Sequence, residues 1–154
     1  MYDPYNDGPA DPLFHFGQGM SYTEFAMSEL VATPMPSGPN VLLVAVTVKN
    51  TGKVAGSQVV QVYAVDPVTD YVRPWKRLLA FARVTLVPGQ SEVVHIPVTA
   101  EAMSFQDDSS PAGEWRVVPG EYTIRVGDSS VTDLLTQTVA VDYDQGAATG
   151  HGEL

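Results

Sequence analysis

The histidines, carboxylates and basic side chains of this chain are its first candidates for chemistry. It contains no Cys, so it has no thiolate nucleophile, thiolate metal ligand or disulfide. The three histidines, His15, His95 and His151, are scattered along the chain, and their spacing makes no metal site. No nucleophile elbow, phosphate loop or His-Glu-x-x-His motif occurs. Paired carboxylates are what hydrolysis of a glycosidic bond uses, and the closest candidates are Glu101 with Asp107 or Asp108. They sit in a polar stretch with nothing to raise the pKa of one partner, so a solvated loop is the expectation. Asp128 and Asp133 with the Ser pair between them fit no calcium-loop spacing and read as a hairpin turn. No catalytic residue, metal ligand or cofactor is expected.

Binding is better supplied than catalysis. Arg73, Lys76 and Arg77 cluster in Tyr71-Val72-Arg73-Pro74-Trp75-Lys76-Arg77-Leu78, a local positive patch on a chain of net charge −10. Aromatics beside Arg, here Tyr71 and Trp75, are what a sugar-stacking or protein-docking surface uses. The competing expectation folds Trp75 back onto the body and leaves the charges solvated. Phe14 and Phe16 alternate, so both rings should face one way in an extended arm. They are expected to pack across the open end of the domain as a covering strand, with an exposed binding pair as the alternative. Gly17 and Gly19 are expected to hinge this arm, and Tyr22 to be structural where it meets the body.

The acidic balance argues against nucleic acid and anionic membrane as partners, because phosphate binding needs a basic footprint. Its ordinary meaning is solubility. Met1-Tyr2-Asp3-Pro4-Tyr5 is acidic and lacks an apolar core, so it is not a signal peptide as it stands. The longest apolar run, Val41 to Val46 and on through Val48, is far short of the ~20 residues of a membrane helix. A soluble domain is expected, in the cytoplasm or secreted with a missing N-terminal part.

The elements that must position these residues are strands. Period-two segments recur between Gly, Pro, Asn and Asp punctuation. Leu42, Val44, Val46 and Val48 alternate with Leu43, Ala45 and Thr47, and Asn50-Thr51-Gly52-Lys53 ends the run as a turn. Val59 to Val65 is apolar on both faces and should be central. Leu78 to Leu86 is stopped by Pro88-Gly89. Val94, Ile96 and Val98 point one way in the next strand, and Pro97 assigns that strand to a sheet edge. Ala100 to Phe105 fits a short turn of helix or strand. Tyr122, Ile124 and Val126 face inward, Leu134 to Val141 is the last strand, and one around Phe25 to Val31 precedes them all.

The expected fold class is all-β: a two-sheet Greek-key sandwich of the fibronectin type III/immunoglobulin-like kind, with seven or more strands and an extended N-terminal arm. Residues 1–20 form the arm, 21–143 the sandwich and 144–154 a flexible tail. Pro119-Gly120-Glu121-Tyr122 places Tyr122 as a tyrosine corner, its phenol bonding to upstream backbone.

Four segments, in order, resemble the C-terminal fibronectin type III-like domain of glycoside hydrolase family 3, the β-glucosidase and β-xylosidase group. They are Pro12-Leu13-Phe14-His15-Phe16-Gly17-Gln18-Gly19-Met20-Ser21-Tyr22-Thr23; Val46-Thr47-Val48-Lys49-Asn50-Thr51-Gly52 with Gly56 and Val59-Val60-Gln61-Val62-Tyr63; Arg73-Pro74-Trp75-Lys76-Arg77-Leu78 with Phe81; and Val118-Pro119-Gly120-Glu121-Tyr122 with Val126-Gly127. Departures are His15 for a usual Pro, Gln18 for His, and Trp75 and Arg77 for Val and Glu. The resemblance covers about residues 12 to 141 and implies a non-catalytic role. In that family the nucleophilic Asp lies in a barrel domain and the acid/base residue usually in an α/β domain, and neither is among these residues. The implied partner is the catalytic part of such a glycosidase, in cis or as a separate chain. The alternative is a free-standing module that binds polysaccharide, lignin-like polymer or protein.

Overall fold

The computed structural model describes residues 12–66, 76–106 and 115–143. Its strands in chain order are β1 (Phe25–Pro34), β2 (Asn40–Asn50), β3 (Gly56–Val65), β4 (Arg77–Leu86) and β5 (Ser91–Thr99). A single helical turn, α1 (Ala100–Met103), leads to the short β6 (Phe105–Gln106) and β7 (Trp115–Arg116). The long β8 (Gly120–Gly127) and β9 (Leu135–Val141) complete the set. One sheet has the order β1-β2-β5 and the other β4-β3-β8-β9, every pairing being antiparallel. The chain crosses between sheets after β2 and after β4, and returns to the second sheet for β8, as a Greek-key sandwich requires.

Period-two alternation builds the core. Leu42, Val44, Val46 and Val48 of β2 are fully buried with Val60 and Val62 of β3 and Ile124 and Val126 of β8. β3 lies between β4 and β8 and is buried on both faces from Val60 to Ala64, as its apolar run suggests. β5 pairs only with β2, so Pro97 stands at a sheet edge, where its missing N–H breaks no ladder. Thr99 caps α1 by accepting the Ala102 N–H at 3.1 Å. The Tyr122 side chain is fully buried and its hydroxyl donates to the Val118 carbonyl at 2.8 Å, which is the expected tyrosine corner.

One open side of the sandwich is stitched by a side chain. Gln137 of β9 accepts the Ala32 N–H of β1 at 2.9 Å and donates to the Ala32 carbonyl at 3.3 Å. Its amide thus continues a ladder between strands of different sheets. Among the described residues no helix is long and apolar enough to cross a membrane.

Candidate functional site

The arm is not extended where its sequence alternates. The Gln18 N–H donates to the His15 carbonyl at 3.0 Å, closing a turn with Phe16 and Gly17 at its centre. Gly17 has φ +77°, the left-handed value that the third residue of a type II turn needs. This turn is fastened to the outer face of the β4-β3-β8-β9 sheet at two backbone points. The Gly17 carbonyl accepts from Gln61 Nε2 at 3.0 Å, and the Phe16 carbonyl accepts the Ser130 N–H at 2.9 Å.

Behind these contacts lies a closed circuit. Gln61, buried on β3, also donates to the Asp128 carbonyl at 2.7 Å, and its Oε1 accepts the Tyr63 hydroxyl at 2.5 Å. The Lys76 ammonium sits 4.6 Å from the centroid of the Tyr63 ring and donates to the Ser130 carbonyl at 2.8 Å. Ser130 in turn holds Phe16, which returns the circuit to the arm. Asp133 braces it by pairing with both Lys76 and Arg125. Burial pushes the Asp133 carboxyl up, but its hydrogen bonds to Lys76 and Arg125 and their charge outweigh that and hold it below the ordinary carboxylate value. Burial, then the charge of Asp133, pushes the Tyr63 phenol up, so it remains the donor that Gln61 requires.

A second anchor holds the far end of the arm. The Asn50 side chain is fully buried, and its Nδ2 donates to the Val54 and Leu86 carbonyls at 2.9 and 3.0 Å. Its Oδ1 accepts from the Thr23 hydroxyl at 2.8 Å and from the Gly52 N–H at 3.0 Å. The amide therefore joins the arm, the β2–β3 turn and the end of β4. Thr23 lies so close to this turn that a Cβ on Gly52 would come within 2.1 Å of its hydroxyl.

The backbone of the arm is thus held while its apolar side chains are not. Leu13 is 89% exposed, Phe14 67%, Phe16 66%, Met20 96% and Tyr22 104%. Phe14 and Phe16 therefore do not close the end of the sandwich, because the arm is secured through its carbonyls rather than its rings. Gly17 is not a free hinge but a locked turn, whereas Gly19 has open space around it. Tyr22 is not structural within this chain, and the joint expected of it is made by Thr23 and Asn50.

The basic cluster divides. Tyr71, Arg73 and Trp75 lie outside the described residues. The Lys76 side chain is only 6% exposed and belongs to the circuit under the arm. Arg77 donates to the Ala102, Met103 and Ser104 carbonyls at the end of α1 and pairs with Asp66. Both cations are thus committed within the fold rather than presented to a partner. Of the carboxylates considered for catalysis, Glu101 is exposed on α1, and Asp107 and Asp108 lie outside the described residues. Gln61, Thr23 and Asn50 carry the site although the strand and turn patterning does not mark them as site residues, and Asp133, which reads as part of a hairpin turn, braces it. A Gln inside the apolar run Val59-Val60-Gln61-Val62 was the available signal, since such a residue must find buried partners.

Comparison with known proteins fits this architecture. The family model for the fibronectin type III-like domain matches residues 58–130. Thermostable beta-glucosidase B of Acetivibrio thermocellus is 34% identical over 142 residues, covering 92% of this chain and 18% of that protein. Beta-glucosidase BoGH3A of Bacteroides ovatus is 37% identical over 145 residues, covering 94% of this chain and 19% of that protein. The crystal structure of beta-D-glucoside glucohydrolase from Trichoderma reesei superposes with a TM-score of 0.79 at 32% identity, over 88% of this chain and 21% of that one. The chain therefore spans under a fifth of the length of those two sequence relatives. What it matches in them is the fibronectin type III-like part and not the catalytic domains.

Proposed function

We propose that this chain, which matches the fibronectin type III-like domain of the glycoside hydrolase family 3 β-glucosidases, is an accessory domain that docks on and braces the catalytic part of such a glycosidase. The observation that carries this reading is the arm with its joint to the body, where Leu13, Phe14, Phe16, Met20 and Tyr22 are exposed while the chain is pinned through the Phe16 and Gly17 carbonyls and the Thr23 hydroxyl. Covering a side chain of this size contributes about 1.5–3 kcal/mol, and a pre-formed backbone spares most of the ordering cost of binding. The relatives support this partner, since the matched part is under a fifth of their length and the remainder lies in the same polypeptide.

The test is to mix the chain with the catalytic part of a family 3 glycosidase from the same source and to follow thermal unfolding of that part. A rise in its midpoint supports bracing, and an unchanged midpoint with the arm intact contradicts it. A second reading, a module that binds insoluble polysaccharide, draws support from the exposed ring of Phe14. Pull-down on cellulose that is lost in Phe14→Ala would favour it over docking.

A further inference from the structure

The arm crosses a sheet face that carries an exposed group of its own. Gln61, on which Gly17 rests, is the register partner of Phe81 on β4, and Phe81 is 67% exposed. Two residues on, Arg83 pairs in register with Val59, itself 37% exposed. Alternation along β4 puts Phe81, Arg83 and Thr85 on the outer face, while Val84 and Leu86 enter the core.

Arg83 differs from its basic neighbours on this side of the fold. Lys76, Arg77 and Arg125 each pair with an Asp. Among the described residues Arg83 has no carboxylate partner and makes one side-chain hydrogen bond, to the Ser57 hydroxyl at 3.3 Å. On a chain of net charge −10, an unpaired guanidinium flanked by an exposed Phe and Val stands out. Arg beside an aromatic, within an apolar patch, is the composition of an interface hot spot. Its planar fork suits a carboxylate better than a neutral acceptor.

We infer that Phe81, Arg83 and Val59 form a second docking surface, continuous with the arm, and that its occupant is an apolar segment bearing an Asp or Glu carboxylate on the catalytic part of the glycosidase. The inference rests on the docking reading above and adds the chemistry of the partner. The arm supplies apolar contact, and Arg83 supplies charge complementarity and register. Lys49, exposed on β2 in the opposite sheet, is a cation of the same chain outside this surface.

The test is calorimetric titration of the full chain into the catalytic part of a family 3 glycosidase from the same source, at low and high salt. Variants Phe81→Ala, Arg83→Glu and Lys49→Glu are compared after circular dichroism shows each folded. The expected result is about tenfold or greater weakening for Phe81→Ala and for Arg83→Glu, the latter loss shrinking at high salt, with Lys49→Glu within about twofold of the parent. Binding by the parent that Phe81→Ala and Arg83→Glu leave unchanged overturns this surface and spares the arm. Equal loss in Arg83→Glu and Lys49→Glu overturns it too, because net charge alone would then explain the effect. No binding by the parent overturns the docking reading itself.

Discussion

Gly17 of the arm and Gln61 of β3 are in direct contact. The Gly17 carbonyl accepts from Gln61 Nε2 at 3.0 Å, and a Cβ on Gly17 would lie 2.1 Å from Gln61 Oε1. With φ at +77°, both conformation and space at this position favour glycine. Gly17→Ala should loosen the arm by about 1–3 kcal/mol, read as roughly 5- to 150-fold faster hydrogen exchange at the Gln18 and Ser130 amides. The global unfolding midpoint should move little, because the core lies on the other face of the sheet. Exchange at those amides unchanged from the parent would contradict the locked turn.

Asn50 should be the most sensitive polar position. Asn50→Ala leaves two carbonyls and a hydroxyl without this partner, and the Gly52 N–H with the Glu24 carbonyl at 3.3 Å as its acceptor. A loss on the order of 3 kcal/mol or more is expected in urea denaturation, since each stranded group costs about 1–3 kcal/mol unless water reaches it. A loss below about 1 kcal/mol would show that the turn relaxes around the cavity.

The tyrosine corner gives a milder and cleaner test. Tyr122→Phe keeps the buried ring but removes the donor to Val118. Stability should fall by about 1–3 kcal/mol with an unchanged denaturant slope. A neutral result would mean that the Val118 carbonyl finds water instead.

Asp133 sets an acid dependence whose sign follows from its depressed pKa. The folded value lies below the unfolded one, so the stabilisation is fully present above the ordinary carboxylate range, about pH 4, and is lost as pH falls through the folded value. Asp133→Asn should be less stable than the parent at pH 7 and lose less on acidification. Parallel stability curves for the two proteins between neutral and acid pH would contradict this.

Much of the fold was legible because alternation is a local signal. The strand runs through Leu42–Val48 and Tyr122–Val126, the edge position of Pro97 and the Tyr122 corner each follow from a few adjacent residues. The site was less legible because its partners are distant in sequence. Lys76 and Arg77 looked like a presented patch, yet Lys76 meets Ser130 and Asp133, and Arg77 meets the end of α1. Asn50-Thr51-Gly52 looked like an ordinary turn by residue type, and the Thr23 contact appears only when the arm folds back. Phe14 and Phe16 alternate as a strand would, but the left-handed Gly17 breaks that geometry.

The central claim is that the arm is a docking element, and the affinity of its apolar side chains for the catalytic part tests it most directly. Titration of the parent chain and of a Phe14→Ser/Phe16→Ser double variant into the catalytic part of a family 3 glycosidase from the same source makes the comparison. Both rings are exposed in the free chain, so the double substitution should leave folding intact. Docking through the arm predicts that the double variant binds at least about tenfold more weakly than the parent. Equal affinity of the two proteins would contradict it.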